Sequence, residues 1–273
     1  MKQVGLHIRL TDSLLGVAQK AALLNIPFFQ CFVIDQATNR IIKPTDQEIE
    51  EFVTYCRLPF IKRFLHASYW INLSAVNHFN NKLFEREFNL AQKLEFTHMI
   101  LHPGAATGSK QKQAGIHALA QALNRILKVE STVKIVLENT AHGGISVGGD
   151  FNDFKLLLEQ LEHPEKLYFC LDTAHAFSYG YDIETEKGQR DFINLVDKTI
   201  GIQKIELIHL NDTKEKKGSK IDRHEIPGKG HIGENALKAF VNQPEFVDLP
   251  VLLELPVMPL VEETTILGAV RNW

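Results

Sequence analysis

Short apolar runs alternate with longer amphipathic segments along the whole 273-residue chain. A run of roughly four to eight apolar residues is typical of a strand covered on both faces. One intervening segment opens with Thr45 three residues before Glu48, the pattern of a helix capping box. The predicted strands are Val4–Ile8, Phe28–Ile34, Ile61–His66, Met99–His102, Val133–Glu138, Leu167–Asp172, Ile205–Leu210 and Val251–Glu254. The predicted helices are Asp12–Leu24, Thr45–Leu58, Asn77–Leu94, Lys110–Leu127, Asn152–Leu161, Gln189–Thr199, Glu234–Val241 and Val261–Val270.

Repeated strand–helix alternation favours an α/β fold with parallel strands and right-handed crossovers. Eight units in 273 residues fit a single-domain (β/α)8 TIM barrel over residues 1–273, because such barrels use roughly 200–250 residues. An open doubly wound sheet is the alternative, but that fold usually has a glycine-rich turn after its first strand. Here Ile8-Arg9-Leu10-Thr11 follows instead. We therefore expect a barrel with its active site at the carboxyl ends of the strands.

Composition narrows the class of protein. The formal net charge is -3, so a polyanionic partner must be held by a local basic surface or by bound cations. Cys31, Cys56 and Cys170 are odd in number and form no CxxC pair, which argues against a disulfide scaffold and a thiolate zinc site. No apolar run approaches the roughly 20 residues that span a bilayer, and the N-terminus lacks signal-peptide features. We expect a soluble cytoplasmic protein that does not bind membranes.

Six of the predicted strands carry a residue that can bind a metal at their last position or, for His209, one position before it. Three further candidates follow closely, with His175 three residues after Asp172, and Asp222 two residues before His224. A lone histidine or glutamate at a strand end is usually a satisfied polar residue. Four carboxylates converging on one rim, however, would repel one another without cations. Imidazole and carboxylate ligands without thiolate suit zinc, with manganese or iron as alternatives. The candidates are His66, His102, Glu138, Asp172, His175, His209, Asp222, His224 and Glu254.

Motifs around these residues resemble the endonuclease IV family, zinc-dependent apurinic/apyrimidinic (AP) endonucleases of base-excision repair. The resemblance runs in order from about residue 60 to 256. The strings that carry it are His66-Ala67-Ser68-Tyr69, Leu101-His102-Pro103-Gly104, Glu138-Asn139-Thr140-Ala141, Leu171-Asp172-Thr173-Ala174-His175-Ala176-Phe177, His209-Leu210-Asn211-Asp212, Asp222-Arg223-His224 and Gly228-Lys229-Gly230-His231-Ile232-Gly233.

The resemblance implies a xylose-isomerase-like barrel that binds about three Zn²⁺ per chain, with Mn²⁺ possible at some sites. It assigns one ion to His66, His102 and Glu138, and makes Glu138 the catalytic bridge to a second. Asp172, His209 and Glu254 would complete that second site, and His175, Asp222 and His224 would hold a third. The implied activity is that of deoxyribonuclease IV (phage-T4-induced): hydrolysis 5′ to an abasic site, leaving a 3′-hydroxyl. The implied partner is double-stranded DNA containing abasic sites, bound by a monomer.

The resemblance also implies DNA contacts. Tyr69 matches a position whose ring enters the DNA, although a packed rim aromatic would explain it equally well. Arg223 and Lys229 belong to a basic stretch that we expect to touch phosphates, because lysine and arginine supply most sequence-independent affinity for DNA. A solvated loop is the alternative interpretation. The stretch comprises Lys214, Lys216, Lys217, Lys220, Arg223 and Lys229.

The first 60 residues depart from the family pattern. Members usually carry a Lys-Asn-x-Arg-x-Trp-like string after the second strand, whereas residues 33–40 lack the aromatic and place Arg40 elsewhere. Gln36 would keep one polar contact to DNA.

Two other functions fit part of the same residues. A sugar isomerase or epimerase with one metal on Glu138, Asp172, His209 and Glu254 is one alternative. A barrel that binds DNA without cutting it is another, which the divergent segment motivates.

Overall fold

The computed structural model of the protein describes residues 2–35, 38, 40–76 and 81–273. Eight of its strands are parallel and close into a barrel, which confirms the predicted TIM barrel. Gln36 lies outside the described residues. The strands are β1 (Val4–His7), β2 (Phe28–Cys31), β3 (Ile34–Asp35), β4 (Arg40–Ile41), β5 (Lys62–His66), β6 (His98–Leu101), β7 (Lys134–Glu138), β8 (Leu167–Asp172), β9 (Ile205–His209), β10 (Asp212–Thr213), β11 (His224–Glu225) and β12 (Val251–Leu253).

The barrel strands follow one another in the order β1-β12-β9-β8-β7-β6-β5-β2, and β1 pairs with β2 to close the ring. Two short antiparallel hairpins, β3–β4 and β10–β11, lie outside the barrel. The predicted second strand is therefore wrong beyond Cys31. The chain leaves the barrel there because Ile34 pairs with Ile41, and the amide of Ile42 donates to Val33 O.

Helices cover the outside of the barrel. Thr45 and Glu48 form the predicted capping box, in which each side chain accepts from the backbone amide of the other residue. None of the helices in the described part of the chain is long and apolar enough to cross a membrane. The helices are α1 (Leu14–Leu23), α2 (Asp46–Cys56), α3 (Asn81–Lys93), α4 (Lys112–Leu127), α5 (Phe151–Leu158), α6 (Thr173–Tyr179), α7 (Glu186–Ile200), α8 (Glu234–Val241) and α9 (Leu260–Arg271), with 3-10 turns at Pro164–Lys166 and Ile202–Lys204.

Two apolar clusters form the core. The larger one lies between strands and helices and contains most of the buried side chains. The smaller one, which we call the inner cluster, takes one side chain from each of seven barrel strands. It includes Cys170, which is 1% exposed and packs as a small hydrophobic side chain. The inner cluster consists of Phe28, Phe64, Ile100, Val136, Cys170, Leu207 and Leu252.

Candidate metal centre

The strand-end ligands follow from the two-residue repeat of a β-strand. Side chains two positions apart point to the same face, so a residue two positions after a member of the inner cluster also faces the barrel axis. Six predicted ligands stand in that relation, one level closer to the carboxyl ends of the strands. The pairs are Phe64 and His66, Ile100 and His102, Val136 and Glu138, Cys170 and Asp172, Leu207 and His209, and Leu252 and Glu254.

The first group of ligand atoms comprises His66, His102 and Glu138. The Nε2 atoms of both histidines lie 3.2 Å from Glu138 Oε2. Ligands bound about 2.0–2.1 Å from a tetrahedral zinc lie roughly 3.3 Å apart, so this spacing fits one cation. The Glu138 side chain is 1% exposed and that of His102 is 37% exposed; the group therefore opens to solvent at His102.

The second group shares Glu138 and adds Asp172, His209 and Glu254. Glu138 Oε1 lies 3.0 Å from His209 Nδ1, while Oε2 of the same carboxylate faces the first group. His209 Nδ1 is also 3.8 Å from Glu254 Oε2. The two oxygens of Glu138 thus face two different sets of ligand atoms, which is the geometry of a bridging carboxylate.

The third group comes from α6 and from the β10–β11 hairpin. Asp172 caps α6 by accepting the backbone N–H of His175, which turns the His175 ring into the barrel mouth. His175 Nε2 lies 3.1 Å from Asp222 Oδ2 and 3.3 Å from His224 Nε2. His224 Nε2 is 3.2 Å from Asp222 Oδ1 and 3.6 Å from Asp172 Oδ2. All nine predicted ligands therefore meet at one rim.

In three of the histidines, the ring nitrogen that points away from the metal centre makes a hydrogen bond, which fixes which nitrogen faces the centre. His66 Nδ1 lies 2.8 Å from Ala67 O, and His175 Nδ1 lies 2.8 Å from Asn139 O. His209 Nε2 lies 3.0 Å from Gln30 Oε1. Because these oxygens only accept, each of the three nitrogens carries a proton. In the neutral ring the opposite nitrogen then presents a lone pair to carboxylate oxygens, an arrangement that a cation between them satisfies.

Carboxamides that the sequence analysis did not single out hold the ligands in place. Gln30 is fully buried, and its Nε2 donates to Glu254 Oε1 at 2.8 Å. Asn211 Nδ2 donates to Asp172 Oδ2 at 2.7 Å and to Glu254 Oε2 at 3.1 Å. Their positions in the sequence could have identified them. Gln30 is the one polar residue of β2, and Asn211 stands two residues after His209.

Opposite charges in the centre lower the pKa of the Glu138 carboxylate and raise the pKa of the His175 imidazole, against the effect of burial. Burial acts to raise the pKa of Glu138, but the rings of His209 and His102 outweigh it and hold that pKa well below its usual range. Burial likewise opposes a charged His175, yet Asp172 and Asp222 raise the pKa of His175 well above its ordinary value. Protons and divalent cations therefore compete for the same ring nitrogens. The donor set of nine imidazoles and carboxylates fits zinc ions.

Of the proposed DNA-side residues, Tyr69 lines a cavity of about 410 Å³ together with six of the nine predicted ligands, among them His66 and His102. The Tyr69 and Trp70 rings are 63% and 53% exposed, with centroids 4.8 Å apart. Trp70 did not figure in the sequence analysis. Arg223 and Lys229 are both exposed, although Arg223 Nη1 lies 3.4 Å from Glu215 Oε1.

Other members of the basic stretch contact local partners. Lys214 Nζ lies 3.7 Å from Glu225 Oε2, and Lys217 Nζ lies 3.1 Å from Glu184 Oε2. Lys220 Nζ donates to Tyr179 O and stands over the Tyr179 ring. Part of the basic stretch is therefore engaged in holding the loop, and the expectation that it touches phosphates stays a prediction.

This chain is similar in sequence and in fold to several known proteins. Residues 18–273 match the model of the xylose isomerase-like TIM barrel family. The probable endonuclease 4 of Thermosipho melanesiensis is 30% identical over 263 residues, covering 94% of this chain and 93% of the relative. That of Chloroflexus aurantiacus is 36% identical over 198 residues, with coverages of 70% and 69%. The crystal structure of endonuclease IV from Thermus thermophilus superposes with a TM-score of 0.85 at 27% identity, covering 99% and 98% of the two chains.

More distant barrels share the fold alone. D-psicose 3-epimerase superposes with a TM-score of 0.64 at 14% identity, covering 99% of this chain and 90% of the other. The family-model match and the 30% identity across almost the whole chain show more than the fold, and they agree with the family motifs found around the nine predicted ligands. This chain belongs to the endonuclease IV family of xylose isomerase-like TIM barrels.

Proposed function

We propose that the protein is an AP endonuclease of base-excision repair. In this proposal the single domain acts as a monomer on double-stranded DNA containing abasic sites. It hydrolyses the phosphodiester 5′ to the lesion and leaves a 3′-hydroxyl, with about three Zn²⁺ bound and Mn²⁺ acceptable at some sites. Support comes from the relatives named endonuclease 4 and from three overlapping groups of ligand atoms at one rim.

The observation that carries the proposal is the surplus of ligands. A one-metal sugar epimerase needs no more than Glu138, Asp172, His209 and Glu254. His66 and His102 lie within 3.2 Å of the far oxygen of Glu138, and His175, Asp222 and His224 gather in a third group. A second and a third cation give all of these residues a role, which a single cation does not.

Within this proposal the chain's own residues orient the reaction. Bound zinc would supply Lewis-acid stabilisation of the phosphoryl oxygens and lower the pKa of bound water from 15.7 to about 7. Glu138 would join the first two sites through its separate oxygens, and Gln30 would hold Glu254 and His209 in register. Three divalent cations against four carboxylates leave the rim with a net charge of about +2. That local charge opposes the repulsion of DNA by a chain of net charge -3.

The exposed aromatic pair gives the rim a surface for unpaired bases. Tyr69 lines the same cavity as His66 and His102, and the Trp70 ring lies 4.8 Å from the Tyr69 ring. An aromatic ring stacks on any base for roughly 1–3 kcal/mol, which would help to hold DNA opened at the lesion. Gln36, Arg223 and Lys229 remain the proposed polar and phosphate contacts.

The test is incision of a 5′-labelled duplex that carries one tetrahydrofuran residue, an abasic analogue that cannot undergo β-elimination. We expect a single cut 5′ to the analogue and a product that a DNA polymerase extends, which requires a 3′-hydroxyl. Prolonged chelation should abolish the cut, and added Zn²⁺ should restore it. An undamaged duplex of the same sequence is the control.

The same preparations should be given a panel of ketoses and analysed for metal. One ion per chain, no incision and turnover of a ketose would favour the epimerase. Tight binding of the abasic duplex without incision by the three-metal form would instead favour a DNA-binding barrel.

A further inference from the structure

The carboxylate of Asp212 stands at the start of the long loop between β9 and α8. Its side chain is fully buried. Oδ1 accepts the backbone N–H groups of Thr213 at 2.8 Å and Ile232 at 2.9 Å. Oδ2 accepts those of Gly228 at 3.1 Å, Gly230 at 3.0 Å and Gly233 at 3.1 Å. One carboxylate thus ties the beginning of this loop to its end.

The glycines make this arrangement possible. A Cβ on Gly230 would lie 2.4 Å from Asp212 Oδ1 and 2.3 Å from Thr213 O, where no side chain fits. Gly228 and Gly233 have φ values of 84° and 83°, which favour glycine. Successive backbone N–H groups that converge in this way form a cradle for an anion. Here the anion is a side chain of the protein itself.

Two ligands of the third metal group lie on the stretch that Asp212 closes. Thr213 pairs with His224 across the β10–β11 hairpin, and Thr213 Oγ1 donates to Arg223 O at 2.9 Å. The amide of His231 donates to Thr213 O at 2.8 Å. Asp222 and His224 therefore reach His175 through a hairpin whose first residue is Asp212. His66, His102 and Glu138 stand on or next to barrel strands that this loop does not hold.

We propose that Asp212 is a positioning residue for the third cation. By holding the glycine-rich end of the loop, it sets Asp222 and His224 against His175 and so determines the affinity of that site. This inference rests on the proposed function, because it takes the third group to be a metal site. Residues that support metal ligands typically contribute 10–100-fold to metal affinity.

The test is the zinc stoichiometry of Asp212→Asn, measured by mass spectrometry after dialysis at several free Zn²⁺ concentrations. The amide would place an NH2 group against backbone N–H donors. We expect about two ions where the wild type holds about three, and a third ion that binds roughly 10–100-fold more weakly. Circular dichroism should show an intact barrel.

Asp153→Asn is the matched control. Asp153 is 5% exposed, and its Oδ2 accepts the Gly148 N–H at 3.1 Å and the Lys112 Nζ at 3.1 Å; neither partner belongs to the β10–β11 hairpin. This variant should keep all three ions. The double variant Asp212→Asn/Asp222→Asn should lose no more metal than Asp222→Asn alone, because both changes act on one site.

Three results would overturn the inference while leaving the proposed function intact. They are an unchanged third affinity in Asp212→Asn, an equal loss in Asp153→Asn, and the loss of two ions in the double variant. A wild type that binds one or two ions would instead remove the metal assignment on which both proposals rest. If Asp212→Asn does not fold, Gly233→Ala decides by the same titration, because it strains a backbone donor to Asp212 at a position where a Cβ meets nothing within 4 Å.

Discussion

The two ends of the barrel bury charged groups in opposite ways. At the carboxyl ends of the strands, four carboxylates meet five imidazoles within one rim. At the amino ends, the carboxylate of Glu206 faces cations: Lys134 Nζ at 2.5 Å and Lys62 Nζ at 3.6 Å. His98 Nε2 lies 3.3 Å from the same group. At the amino ends the carboxylate has cationic partners within the chain, whereas the rim has an excess of acceptors.

This difference separates a charge cluster that supports the fold from one that supports function. A buried ion pair with its hydrogen bonds made is complete without a ligand. A cluster of carboxylates and lone pairs stays costly until a cation enters. Two substitutions of the same chemistry, Glu138→Gln and Glu206→Gln, therefore test whether the ends differ as their charges indicate.

The largest expected effect is on incision by Glu138→Gln. The amide cannot bridge two cations, so we expect loss of at least one zinc and a fall in the incision rate greater than the roughly 10–100-fold typical of residues that merely support metal ligands. Glu206→Gln should keep its zinc and cut within about twofold of the wild-type rate, measured well below its unfolding temperature. Equal losses of incision in both variants would remove the distinction between the two ends.

Removal of zinc should have the next largest effect, on thermal stability. A ligand present at about 1,000 times its dissociation constant stabilises the folded state by about 4 kcal/mol. For a barrel of this size that corresponds to a shift in Tm of roughly 8–16 °C for each such ion. Differential scanning calorimetry with and without a chelator measures it. Glu206→Gln should show the same zinc-dependent shift as the wild type, and Glu138→Gln a smaller one.

Glu206→Gln should lower stability in a pH-dependent way. Burial acts to raise the pKa of Glu206, but His98 and Lys134 outweigh it and lower the pKa to about 2. A carboxylate with a lowered pKa stabilises the folded state above pH 4.5, its ordinary pKa, and that contribution is lost as the pH falls toward 2. At pH 7 we expect a loss of up to about 3 kcal/mol.

Urea unfolding of the metal-free proteins at pH 7 and pH 3 measures this loss. The gap between wild type and Glu206→Gln should narrow in acid. A gap that is the same at both pH values would show that the change acts through packing and not through the charge of Glu206.

The sequence predicted the parts of this molecule that repeat. Six of the nine predicted ligands were chosen because each lies at the end of an apolar run, and in the structure each stands two residues past a member of the inner cluster. The helix predicted at Glu234–Val241 has those same bounds. Strand and helix periods are local properties of the chain, so they can be read without knowing the tertiary structure.

What the sequence did not show depends on long-range contacts. The seven residues of α6 are almost all buried, so they lack the polar face that marks a helix. Gln30 acquires its role from His209, which lies 179 residues away. Asp212 was visible as part of a motif, but its five backbone donors come together only when the loop closes.

The smallest expected effect concerns DNA affinity. Lys229 is exposed on the glycine-rich turn that follows the β10–β11 hairpin, whereas Lys62 opens β5 at the amino end of the barrel. If the rim binds DNA, Lys229→Ala should weaken binding of the abasic duplex and reduce the slope of log K against log salt by about 0.9, the value for one phosphate contact. Lys62→Ala removes the same charge from the chain but should leave that slope unchanged. Fluorescence anisotropy over a series of salt concentrations, with a catalytically inactive background, gives both slopes. Equal changes in the two variants would mean that DNA affinity depends on the overall charge of the protein, and would contradict DNA binding at the rim.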